Sequence, residues 1–106
     1  MRVRKRPVFL SDVEDCADYL VTEAGEAVAR RWKASLDRTI ALISRFPEIG
    51  RVRHDLPFPG IRTFFLKDFP RYLIFYRVGG KSVELLRVKH GMMHLPGLFE
   101  TGSAEG

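Results

Sequence analysis

Gly79 and Gly80 stand between two runs dense in β-branched and aromatic residues, Arg71–Val78 and Ser82–His90, and nothing else in the chain restricts its fold as tightly. Glycine reaches positive φ without steric cost, so the pair suits a two-residue turn and the flanking runs become the arms of an antiparallel hairpin. With Gly79-Gly80 as the loop, Val78 faces Lys81 and opposed residues carry numbers that sum to 159. This register places Tyr72, Ile74, Tyr76 and Val78 on one face with Val83, Leu85 and Arg87. Leu73, Phe75 and Arg77 share the other with Glu84, Leu86, Val88 and His90. Both faces are apolar. Helices on one side leave the second face in need of a cover, either the C-terminal segment or a partner, and a partner is the expectation.

Upstream of the hairpin the apolar period changes from two to 3.6. Ser11-Asp12-Val13-Glu14 reads as a capping box that opens a helix. Val13, Cys16, Ala17, Leu20, Val21 and Ala24 then form its buried stripe, with the carboxylates outside and Gly25 as its stop. A second helix follows over Glu26–Phe46, with Ala29, Trp32, Leu36, Ile40, Ile43 and, at its end, Phe46 on one face and Pro47 closing it. Arg4–Leu10 reads as a first strand held to an edge by Pro7. Glu48–Gly60 is punctuated by Gly50, Pro57, Pro59 and Gly60 and reads as a loop, after which Ile61–Leu66 resumes as a strand. The expected architecture is α+β: a helical hairpin packed on one face of a mainly antiparallel, twisted sheet of three or four strands. At 106 residues the chain makes a single domain, assigned to residues 1–99, with 100–106 as a flexible tail.

Charge is unevenly placed along the chain. Residues 1–10 hold four basic side chains and no acidic one, whereas residues 11–24 hold five acidic and no basic. Residues 61–90 hold seven basic against two acidic. Such a field attracts anionic partners, nucleic acid or an acidic protein segment alike. The longest apolar run, Tyr72–Tyr76, falls far short of the roughly 20 residues that cross a bilayer. The basic N-terminus leads into no apolar stretch of signal-peptide length, so a cytoplasmic location is expected. Cys16 is the single cysteine, which agrees with a reducing compartment.

The order strand, helix, helix, then strands combines with four sequence pieces. These are Phe46-Pro47-Glu48-Ile49-Gly50-Arg51, Gly60-Ile61-Arg62, Arg71-Tyr72-Leu73-Ile74-Phe75-Tyr76-Arg77-Val78 and Leu86-Arg87-Val88-Lys89-His90-Gly91. Together they resemble the RelE/ParE superfamily of bacterial toxin–antitoxin toxins over roughly residues 5 to 99, and the ParE branch more than the ribosome-dependent nucleases. The resemblance implies a small toxin neutralised by a cognate antitoxin that carries a DNA-binding domain, with DNA gyrase as target. The two alternatives are an mRNA endoribonuclease on the same scaffold and a non-toxic regulatory module that keeps only the antitoxin contact.

The candidate partner-binding residues are Arg62, Tyr72, Arg77, Arg87 and His90. Arg77 has a possible diagonal carboxylate in Glu84, which is an adequate structural explanation for it, while Arg87 faces Tyr72 with no acidic residue opposite. No catalytic residue is assigned under the leading reading. The nuclease alternative would use His90 as the group that titrates near neutrality, with Arg62 and Arg77 beside the phosphate. Direct nucleic-acid binding is expected only under that alternative. His90 and His94 lie four apart, yet Gly91 breaks a helix containing both and no third ligand is near, so no metal is expected. No nucleophile elbow or phosphate-binding glycine loop is present, and no cofactor is expected.

Overall fold

A computed structural model describes residues 1–91. The stretch 92–99, including His94, and the expected tail 100–106 lie outside the described residues. The elements are β1 (Arg2–Lys5), α1 (Pro7–Ala24), α2 (Glu26–Arg45), β2 (Arg51–Val52), β3 (Arg62–Leu66), β4 (Phe69–Gly79) and β5 (Ser82–His90). They build one five-stranded mixed sheet of order β1-β5-β4-β3-β2, with the helical hairpin on one face. The α+β expectation holds, with more strands than expected: β2 is only two residues long, inside the segment read as a loop.

The first strand and first helix differ from the sequence reading. β1 ends at Lys5, and Val8 and Phe9, expected in a strand, are helical. Arg6 is the joint: its N–H donates to Leu85 O (3.2 Å) as the last rung of the sheet, while its own carbonyl accepts from Leu10 N (3.1 Å) in the helix. A residue before proline is held in extended backbone, and proline at the first helical position loses no intrahelical hydrogen bond. Arg6 shows that conformation (φ −69°, ψ 151°), with Pro7 opening α1 and no side-chain cap. The Ser11 capping box therefore does not form. The extra turn buries Phe9 and Asp12, whereas Val21 is 43% exposed. α2 follows its expected stripe at Ala29, Trp32, Leu36, Ile40 and Ile43, all buried, but it ends one residue early at Arg45, and Phe46, past that end, is 53% exposed.

The hairpin is present with a different register. Gly79 pairs with Ser82 and Val78 with Val83, so the loop is Gly80-Lys81. Gly80 alone takes positive φ (59°), the sign pattern of a type II′ turn. Above Tyr76↔Leu85 the register shifts, because Phe75 pairs with Arg87 and Leu86 is the extra residue of a bulge. A bulge reverses which face each later residue of its strand presents. Val88 consequently joins Tyr72, Ile74, Tyr76, Val83 and Leu85 in the core under the helices, not on the opposite face as expected. Leu86 and Phe75 turn to the outer face. There Leu56 and Ile61, from the segment between β2 and β3, pack on them and on Leu73. The outer face thus has a cover from its own chain where a partner was expected.

Candidate partner-binding surface

Arg62, at the start of β3, points its guanidinium at the chain leaving α2. Nη1 donates to Gly50 O (2.7 Å) and Glu48 O (3.2 Å). Tyr76, opposite Arg62 on β4, completes this clamp: its hydroxyl donates to Pro47 O (2.8 Å) and accepts from Gly50 N (2.8 Å). A side chain at position 50 would sit 2.7 Å from Tyr76 Cε1 and 2.9 Å from Thr63 O, so only glycine admits this approach. Burial pushes the Tyr76 phenol pKa up, and the Gly50 amide and the Arg62 charge work against that rise. Tyr72 is also buried, edge-on to Trp32 (5.5 Å between ring centres) and to His90 (5.2 Å), its partner across β4 and β5.

Arg87 departs most from expectation. It pairs with Phe75, not Tyr72, and its guanidinium forks onto Asp12, with Nε to Oδ2 at 2.7 Å and Nη2 to Oδ1 at 3.1 Å. Lys89 Nζ reaches Asp12 Oδ1 at 3.1 Å, and the Val88 N–H donates to Oδ2 at 3.2 Å. The reason is topological. β1 stops beside Leu85, so farther along β5 it is α1, not a strand, that meets the sheet edge, and Asp12 supplies the acceptor there. The carboxylate read as solvated is thus 2% exposed between two cations. Cys16, one turn further along α1, has its thiol pKa raised to about 11 by burial and by the Asp12 charge. The folded chain therefore holds this proton to higher pH than the unfolded chain. The resulting stability is full below pH 9 and is lost as pH rises toward 11. Alkylation of Cys16 by iodoacetamide at pH 8 is expected at least tenfold slower than in the urea-unfolded protein, measured by mass spectrometry, because only the thiolate reacts.

Arg77 stands on the outer face opposite Glu84 and donates from Nε to its Oε1 (2.9 Å). The pair is direct, not diagonal, because of the changed register. Glu84 also lies 3.9 Å from Arg6 Nη1 and opposite Arg4 of β1, and Arg2 lies opposite Ser82. Cross-strand partners share a face, so Arg2 and Arg4 join Arg77 on the outer face, with Lys81 in the adjoining turn. Arg2, Val3, Arg4, Lys81 and Ser82 line an open depression there. Five cations thus gather at this edge of the sheet, and two of them, Arg77 and Arg6, pair with Glu84. Residue-by-residue reading singled out only Arg77 of the five. The signal for Arg2, Arg4 and Arg6 was the basic run at residues 1–10, whose neighbour only the parallel β1–β5 pairing decides, and that for Lys81 the basic excess of residues 61–90.

The three residues of the nuclease alternative do not converge. Arg62 shares a face with Tyr76, and His90 with Tyr72, both on the helix side, while Arg77 is on the opposite face. Tyr72 and Tyr76 are four residues apart on β4, about 13 Å at strand rise, which separates Arg62 from His90 as well. Among the described residues no group of three or more His, Cys, Asp or Glu side chains has the arrangement to hold a metal. No helix among them is long and apolar enough to cross a membrane.

Comparison with known proteins places this architecture. Toxin ParE3 of Caulobacter vibrioides is 33% identical over 93 residues, covering 88% of each chain. A solved chromosomal ParDE TA system from P. aeruginosa superposes with a TM-score of 0.72 at 21% identity, covering 85% of this chain and 95% of that one, and so shares the fold. Residues 3–95 match the family described as ParE toxin of type II toxin-antitoxin system, parDE. The chain with the clamped α2 exit, the buried Asp12 and the cationic outer face therefore belongs to the ParE toxin family of type II toxin–antitoxin systems.

Proposed function

We propose that this ParE-type toxin arrests growth in the cytoplasm by binding DNA gyrase through protein–protein contact, and that a cognate antitoxin with a DNA-binding domain neutralises it. The observation that carries the reading is the family match over residues 3–95, since gyrase is the target that the resemblance to the ParE branch implies. The placement of Arg77 on the face away from Arg62 and His90 weighs against the nuclease alternative, because attack of a 2′-hydroxyl needs its base and its phosphate-binding cations together. Within the partner-binding set Arg77 is the most accessible arginine, with a side chain 47% exposed in its pair with Glu84, whereas Arg62 and Arg87 are half-buried. Arg62, Tyr72 and Arg87 hold the shape that presents it, and His90 braces Tyr72.

The test is an assay of purified protein in two systems. Gyrase supercoiling is expected to be inhibited, mRNA on translating ribosomes is expected to remain intact, and His90→Ala is expected to keep the inhibition. Codon-positioned mRNA cuts that vanish in His90→Ala would instead establish the endoribonuclease, and neither activity would leave the regulatory module. Co-expression of a cognate antitoxin is expected to relieve growth arrest, and its affinity for this chain is expected to weaken as salt rises.

A further inference from the structure

We propose that the cationic corner of the outer face, formed by Arg2, Arg4, Arg77 and Lys81, seats the phosphate backbone of duplex DNA. The inference rests on the gyrase reading above for the source of that duplex, and adds the DNA itself to what this chain touches. Cutting a backbone needs a general base, whereas holding one needs only cations, so the seat does not require the nuclease reading. Arg2 and Arg4 share the outer face two residues apart on β1, about 7 Å at strand rise. Arg4 and Arg77 both lie opposite Glu84, on the strands either side of β5, and so stand about 10 Å apart across the sheet. Lys81 extends the strip into the turn. There Gly79 and Gly80 leave the surface open, since a Cβ at either would meet nothing within 4 Å. A duplex carries one charge per about 1.7 Å of its length, so a strip of this size meets several phosphates at once, whatever the base sequence.

Two observations favour phosphate over protein. Glu84, the carboxylate inside the strip, is engaged by Arg77 and Arg6, while the exposed Arg2, Arg4 and Lys81 pair with no carboxylate among the described residues. Three cations are therefore left for an outside anion. The strip also lacks an apolar anchor. Of the residues lining its depression only Val3 is apolar, and Val3 packs against the core under the helices. Nearby on the same face, Phe75 and Leu86 are buried with Leu56 and Ile61. Protein interfaces draw their affinity from a desolvated centre with aromatic anchors, whereas a nucleic-acid backbone is held by charge and hydrogen bonds alone. A second copy of this chain would set like charges against each other.

The experiment titrates the full chain against a fluorescent duplex of about 30 base pairs and follows anisotropy as salt is raised. Micromolar binding is expected at low salt, with a slope of log affinity against log salt of about −3.6, the value for four phosphate contacts. Arg2→Gln combined with Arg4→Gln and Lys81→Gln is expected to weaken binding at least tenfold and to flatten the slope to about −1. Arg30→Gln combined with Arg31→Gln and Lys33→Gln removes the same charge about 20 Å along α2 from Ser44, the residue that binds Met1. That variant is expected to change the affinity less than threefold. Circular dichroism melts verify that both variants are folded. A poly-glutamate peptide is expected to bind at least tenfold more weakly than the duplex. Equal binding of the peptide overturns the phosphate seat in favour of an acidic protein segment, and equal weakening by the two triple variants overturns it in favour of net charge. Gyrase inhibition by a chain that ignores the duplex overturns the seat and leaves the gyrase reading standing. Duplex binding by a chain that does not inhibit gyrase overturns that reading and leaves the seat.

Discussion

Asp12→Ala is expected to lower the folding free energy by about 3–5 kcal/mol, because it strips the shared acceptor from two nearly buried cations and one backbone N–H. The Arg87 and Lys89 side chains are only 15% and 17% exposed, so water cannot replace the carboxylate at both. A small domain is stable by roughly 5–15 kcal/mol, and this one substitution removes a large part of that. Arg87→Ala alone should cost less, since Lys89 and the Val88 amide still satisfy Asp12. Asp12→Ala with Arg87→Met should fall well short of the sum of the singles, because both changes remove the same Asp12–Arg87 pair. Urea unfolding followed by circular dichroism measures all three. A loss below about 1 kcal/mol for Asp12→Ala would show that the cluster is hydrated and carries little.

Trp32→Ala is expected to cost a similar amount, about 3–5 kcal/mol, through the cavity it opens between α2 and the sheet. Trp32 is fully buried and meets Tyr72 edge to face. Trp32→Phe separates packing from polarity. The indole Nε1 is buried with no hydrogen-bond partner among the described residues, and an unsatisfied donor costs about 1–3 kcal/mol. Phenylalanine loses volume and also loses that penalty, so its expected cost is below about 2 kcal/mol. The chain has a single tryptophan, so circular dichroism must again report unfolding. An alanine variant as stable as the phenylalanine variant would mean that the pocket collapses around the missing ring.

α2 was legible residue by residue because its apolar side chains repeat at helical spacing over 20 residues, long enough for the period to outweigh any single position. α1 was legible as a helix but misplaced at its start. The Ser11 signal and the Pro7 signal are both valid N-terminal signals, and the choice between them depends on where β1 must leave the sheet. The hairpin was legible as a hairpin. Its register turned on which glycine takes positive φ, and the Leu86 bulge that then exchanges the faces has no local signature.

The candidate site was less legible than the fold. Arg62, Arg77 and Arg87 were found as arginines in apolar strands, but what they bond is distant in sequence: Arg62 meets a carbonyl 12 residues away and Arg87 a carboxylate 75 away. The cationic face that Arg77 shares with Arg2 and Arg4 arises because the N-terminal strand lies beside the last described one.

Local spacing alone therefore determined that this chain is two helices set against a hairpin-based sheet, because the periods 3.6 and 2 are properties of neighbouring residues. Tertiary structure alone decided which charges are consumed inside and which remain to meet another molecule. Pairing energies depend on distance in space, and a parallel strand pairing and a one-residue bulge set those distances without leaving a mark in the residues nearby.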